Sequence, residues 1–172
     1  MLLLSNDLVR KQVLSLRSNS LIATIQSAII NPNNLKIEGF YCRDSYDKSQ
    51  LVLLTQDIRE TIANGYIVND HDVLARVEDL IRLRDIININ FVIVGKQVTT
   101  ITKSRVGKVT DYSTDLDSMF IQKLYVAQPV YKAFGSGNMI IDRTQINEIT
   151  PKKIIINDIL GNVPAQARAS II

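Results

Sequence analysis

Apolar residues along this chain fall in short runs separated by polar turns. Leu21–Ile30 alternates, with Ile22, Thr24, Gln26 and Ala28 on one side and Leu21, Ala23, Ile25 and Ser27 on the other. A period of two predicts a strand. Asn31-Pro32-Asn33-Asn34 ends it, because Pro presets φ and Asn tolerates left-handed geometry, and Lys36–Arg43 returns as the partner of a hairpin. Residues 2–4, 11–16 and 50–54 read as further strands. Glu60–Ala63 and Tyr66–Val68 flank Asn64-Gly65, a strong hairpin signal. The plan then recurs through Gln97–Ile101, Val106–Thr114, Phe120–Ala127, Met139–Ile141, Asn147–Ile149 and Ile154–Ile156. Between the two series, Val73, Leu74, Val77, Leu80, Ile81, Leu83 and Ile86 recur at helical spacing. They predict a helix over residues 72–86, with Asp70 or Asp72 as its cap and Glu78–Arg82 as an i,i+4 pair.

The second series repeats the first in residues as well as in pattern. Val9-Arg-Lys-Gln-Val13 returns as Val94-Gly-Lys-Gln-Val98, 85 positions later. Leu21–Thr24 falls opposite Val106–Val109 at the same offset, and Ile37–Tyr41 opposite Ile121–Tyr125 at an offset of 84. Asp57-Ile58 answers Gln145-Ile146, and Ile67-Val68 answers Ile154-Ile155. Strands match and loops differ, which is the mark of a duplicated small domain. The expected fold class is all-β: two small β-barrels, residues 1–70 and 91–160, joined by a helical connector over 71–90 and followed by a flexible tail at 161–172. Docking of the two copies about a pseudo-twofold axis is expected, because small barrels gain core that way.

Composition narrows the chemistry. Apolar residues make up 46% of the 172 and aromatics only 6%, so the cores are aliphatic. Residues 1–70 carry seven basic and seven acidic groups, whereas residues 91–160 carry nine and six, so the second copy holds the excess of the net charge of +3. Cys42 is the single cysteine, which excludes an internal disulfide and fits a reducing compartment. With no basic leader and no 18 successive apolar residues, the expected location is the cytoplasm.

Candidate catalytic groups are sparse. His71 is the only histidine, between Asp70 and Asp72, where neighbouring side chains diverge; a capped turn explains it better than a metal. Asp111, Asp115 and Asp117 read as turn formers rather than calcium ligands. Gly135-Ser136-Gly137 lacks the lysine of a phosphate loop. No nucleophile stands with a base, so no enzyme activity, metal or cofactor is expected. The best partner-binding candidate is the loop with Val130, Tyr131, Lys132 and Phe134, aromatics beside a cation. Lys103, Arg105, Lys108 and Lys123 form a candidate basic face.

Val94-Gly-Lys-Gln-Val98 followed by Val106-Gly-Lys-Val109 resembles the start of the PRC-barrel family, known from the photosynthetic reaction centre H subunit and from ribosome maturation factors. Glu78–Leu83, Phe120–Tyr125 and Ile140–Ile146 are similar to stretches of tandem PRC-barrel proteins of bacteria. The resemblance covers roughly residues 5–158 and is better in the second copy; in the first, Arg10 and Ile22 stand where Gly95 and Gly107 stand in the second. Its motifs are structural, and it implies a pair of PRC-like barrels and adaptor work. The expected function is a non-catalytic adaptor or scaffold with a protein partner, or else an RNA- or ribosome-associated factor, or thirdly a peripheral membrane module. A homodimer is compatible with each.

Overall fold

The computed structural model describes residues 1–129 and 138–158. It is mainly β, with two seven-stranded sheets, one of them a half-barrel. The strands are β1 (Leu2–Leu4), β2 (Gln12–Ser15), β3 (Ser20–Asn31), β4 (Lys36–Asp44), β5 (Gln50–Leu54), β6 (Ile58–Ile62), β7 (Gly65–Val68), β8 (Leu74–Ala75), β9 (Gln97–Thr100), β10 (Arg105–Asp115), β11 (Ile121–Ala127), β12 (Met139–Asp142), β13 (Ile146–Ile149) and β14 (Lys153–Ile156). Two short helices, α1 (Ser5–Leu8) and α2 (Arg84–Ile89), and several 3-10 turns complete the described chain.

The first sheet runs β6-β7-β2-β3-β4-β5-β8 and the second β13-β14-β9-β10-β11-β12, with β1 added to β10. Six strands of each therefore share one order, including a parallel pair, β2 with β7 and β9 with β14. Register repeats as well. Val13 faces Ala23 and Tyr66 in the first sheet, and Val98 faces Gly107 and Ile154 in the second. Phe40 faces Leu53, and Leu124 faces Ile141. Ile58 faces Val68, and Ile146 faces Ile156.

This register corrects two expected matches, the first being Ile67-Val68, which corresponds to Ile155-Ile156 rather than to Ile154-Ile155. Gly107 corresponds to Ala23, not Ile22, because the turn after β9 is one residue shorter than the turn after β2. Ile22 corresponds to Val106, and both are buried at the same bulge. Arg10 does correspond to Gly95, and both are left-handed, at φ 62 and 88. Their amides donate to equivalent carbonyls, Arg10 N to Ile25 O at 3.0 Å and Gly95 N to Val109 O at 2.7 Å. The turn geometry is shared, and only glycine adopts it without steric cost.

The two halves meet at the hairpin turns 31–36 and 115–120. Ile37 N donates to Met119 O at 2.8 Å, and Ile121 N donates to Leu35 O at 2.9 Å. Ile37 and Ile121 are equivalent, as are Leu35 and Met119, so the two bonds are reciprocal, the pattern of a local twofold. The bridge Lys36–Phe120 joins two further equivalent residues between them. Leu35 and Met119 share a left-handed φ, 56 and 57, although the turns are built differently. Asn31 Oδ1 and Asn34 Oδ1 accept from Asn33 N and Lys36 N in one, and Asp115 Oδ2 accepts from the Ser118 hydroxyl in the other. Leu35, Ile37, Met119 and Ile121 are all buried at this seam. Each such aliphatic contributes about 1.5–3 kcal/mol by its removal from water. They belong to one apolar core that continues through both halves.

Two expectations are corrected. Residues 72–86 do not form one helix: 3-10 turns at His71–Val73, Val77–Asp79 and Ile81–Leu83 alternate with β8, and the only α-helix of the connector is the six-residue α2. Val73, Val77 and Ile81 are β-branched, nucleation of an isolated helix is costly, and Leu74 gains more by pairing on β5 than by joining a stripe. Glu78 and Arg82 consequently fall in separate turns. Leu2–Leu4, expected in the first unit, pairs instead with β10 of the second, Leu4 opposite Ser113. Ser5 holds that crossover, its hydroxyl donating to Asp111 Oδ1 at 2.5 Å.

Candidate interaction surfaces

The groups able to do chemistry are largely occupied. Cys42 sits in β4 with no exposure, and burial, helped by the nearby charge of Asp44, pushes its thiol up to about 12. It is therefore a neutral, inert thiol at physiological pH. His71 begins the connector, and its Nε2 lies 2.6 Å from Oδ2 of the buried Asp44, which also accepts from Tyr46 N at 2.6 Å. The Tyr46 ring meets the imidazole edge-on at 5.4 Å. Asp70 caps the 3-10 turn by accepting from His71 N at 2.8 Å, and it also accepts from Ser15 and Arg17. The His71 amide, first, and these side chains hold the Asp70 carboxyl below its ordinary value. His71 thus fastens the connector to the end of β4. Sequence spacing could not reveal this pair, since Asp44 lies 27 residues upstream at the end of an apolar strand.

Asp111, Asp115 and Asp117 each have a separate role. Asp111 fixes Ser5, Asp115 shapes its turn with Ser118, and Asp117 is exposed. Among the described residues no three His, Cys, Asp or Glu side chains are placed to hold a metal ion.

One lysine in each half does the same structural work. Lys11 Nζ donates to the carbonyls of Ile62 (3.3 Å) and Ala63 (2.7 Å) in the β6–β7 turn. Lys96, its equivalent, donates to Pro151 O at 2.6 Å in the β13–β14 turn. Pro151-Lys152-Lys153 and Asn64-Gly65 thus build different turns under one clamp. A cleft of about 600 Å³ opens beside Lys11, lined by Leu3, Asp7, Arg10, Gln12, Ile62 and Asn64.

The four residues of the expected basic face are not all together. Lys103 lies in the β9–β10 turn, Arg105 opens β10, and Lys108 follows three residues on; all three are exposed. Lys123 sits on β11 opposite Ser113, five β10 residues beyond Lys108, or about 17 Å along the strand. It is half-buried and faces Asp142 across β12. The hairpin tip itself carries Lys103 and Arg105, with Ile101, 50% exposed, in the same turn, whereas Lys108 lies opposite Gln97 at the far end of β9. The matching tip of the first half carries Leu16, also exposed, but its Arg17 is paired to Asp70 at 3.1 Å. Val130, Tyr131, Lys132 and Phe134 lie outside the described residues.

No family model matches the chain, and no curated protein matches it. No helix among the described residues is long and apolar enough to cross a membrane.

Proposed function

We propose that this chain is a non-catalytic adaptor of the tandem PRC-barrel type, and that it engages a protein partner through the β9–β10 tip. The observation that carries this reading is the contrast between the two tips. One presents an exposed aliphatic, Ile101, beside the exposed Lys103, and the other has its Arg17 drawn into an ion pair with Asp70. An apolar centre with a charged rim is the anatomy of a protein interface. Two related sheets sharing one core give the tip a rigid base. The engagement of His71 by Asp44 and the burial of Cys42 favour a binding role over a chemical one.

The test is affinity capture from native extract with the full chain, compared with Ile101→Asp and with Lys103→Glu. A bound protein that resists nuclease and is lost in both variants is the expected result. Capture unchanged by either variant removes the tip from the reading.

A second reading, association with RNA or ribosomal particles, is favoured by the exposed Lys103, Arg105 and Lys108 of the second half. Phosphate contacts make binding fall steeply with salt. Co-sedimentation with ribosomal subunits that is abolished by nuclease, weakened by salt and insensitive to Ile101→Asp would select it.

A further inference from the structure

The six-strand plan is common to both halves, but among the described residues only the first has its last edge covered. There β8 pairs with β5, Ala75 opposite Val52 and Leu74 opposite Leu53. Beneath it Val52 and Leu53 have no exposure, and Leu74 is 8% exposed. Register assigns Ile140 and Ile141 of β12 as the equivalents of Val52 and Leu53, since Tyr41 faces Val52 where Tyr125 faces Ile140. Ile141 is buried, yet Ile140 is 54% exposed, and β12 ends its sheet. A bare aliphatic edge strand offers unpaired backbone groups to any extended segment, and proteins seldom leave one open.

The chain carries a second copy of the covering segment. Val68-Asn69-Asp70 returns as Ile156-Asn157-Asp158, and Val73-Leu74-Ala75 returns as Ile159-Leu160-Gly161 with two residues fewer between. The point of departure is also repeated. Asp70 accepts from Ser15 (3.2 Å) and Arg17 (3.1 Å) around the turn after β2, and Asp158 accepts from Thr102 (2.8 Å) in the turn after β9. Leu16 N donates to Val68 O, and its equivalent Ile101 N donates to Ile156 O. The shorter spacing is no obstacle. Four steps through a 3-10 turn at about 2 Å each cover about 8 Å, and two extended steps at about 3.3 Å each cover nearly as much.

We propose that the outer edge of β12 is a docking site for the chain's own Ile159-Leu160-Gly161, which adds as an antiparallel strand with Leu160 opposite Ile141 and Gly161 opposite Ile140. Leu160 then takes the place that Leu74 takes on β5. The proposal rests on the repeat and not on the adaptor reading, so either can fail alone.

Amide exchange over residues 139–142, measured in the full chain and in its Leu160→Asp variant, tests it. The expected result is at least about tenfold faster exchange there in the variant, with β10 and β11 unchanged. Exchange equally fast in both chains overturns the proposal. Protection that rises with protein concentration overturns it too, since a second copy then covers the edge. Should Leu160→Asp fail to fold, Ile141→Cys combined with Leu160→Cys decides. Oxidation to an intrachain disulfide between these two positions, leaving Cys42 as the one free thiol, supports the pairing, and three free thiols under oxidising conditions refute it.

Discussion

The first half of the molecule packs aromatics where the second packs aliphatics. Phe40 stacks on Tyr66 with ring centroids 5.2 Å apart, and the Tyr66 hydroxyl donates to Leu8 O. The equivalent pair is Leu124 and Ile154, both without exposure. The exchange is partly repaid at a third site, where Ala28 of the first half answers the buried Tyr112 of the second. Residue identity and several turns have drifted, but strand order, register and the reciprocal bonds at the seam have not. The backbone pairing is thus the invariant of the duplication, and side-chain volume is redistributed within one shared core.

The largest expected effect comes from emptying those matched sites. Phe40→Ala should cost about 3–5 kcal/mol and Leu124→Ala about 2–5 kcal/mol, by lost burial plus the cavity left behind. Because the core is continuous, each variant should unfold in one transition, seen alike by far-ultraviolet circular dichroism and by tyrosine fluorescence in a urea titration. Two separated transitions in Leu124→Ala, with the first half surviving, would show that the halves are independent domains and break the comparison.

Much of this duplication is legible in the sequence, because strand identity rests on local alternation and turn residues. Val9–Val13 against Val94–Val98 is enough to locate β2 and β9, and the parallel turns follow from Asn31–Asn34 and Asp115–Ser118. Three features resist such reading for one reason: their partners are distant in sequence. Leu2–Leu4 finds its ladder on β10, more than a hundred residues away. Leu74 is pulled from a helical stripe onto β5, and His71 is fixed by Asp44. The same holds for Arg10, whose left-handed φ is invisible until it is set beside Gly95. At the candidate surface the types of residue were readable, but not their grouping. Lys108 and Lys123 belong to one copy in sequence, but register places Lys123 on β11 opposite Ser113, away from Lys108.

A smaller effect should separate the two lysine clamps. Lys11 is 8% exposed and its ammonium donates to two part-buried carbonyls, so Lys11→Met, which loses both charge-assisted bonds, should cost about 1–3 kcal/mol. Lys96 makes its bond to Pro151 O in an exposed setting, and there Lys96→Met should cost less than about 1 kcal/mol. Urea midpoints of the two variants measure the difference. Equal losses would mean that exposure does not distinguish the halves at this position.

The smallest effect is an acid dependence spread over both halves. Asp47 and Asp70 in the first, and Asp115 and Asp142 in the second, have carboxyls held below the ordinary value of 3.8. The leading causes are hydrogen bonds in their own turns: from the Ser49 side chain to Asp47, the His71 amide to Asp70, the Ser118 hydroxyl to Asp115, and the Thr144 amide to Asp142. A depressed folded value means that the folded state favours the charged carboxylate. The stability this contributes is therefore complete above the unfolded value, and it is lost as pH falls below about 4 and through the depressed folded values. Urea midpoints should be level from pH 6 down to about 5 and then decline. Asp70→Asn and Asp142→Asn should each lower the plateau and flatten the decline, because an amide keeps an acceptor but loses the charge. If only the Asp70 variant flattens it, the acid response belongs to the His71 turn of the first half alone, and the two halves differ in their electrostatics as they do in their cores.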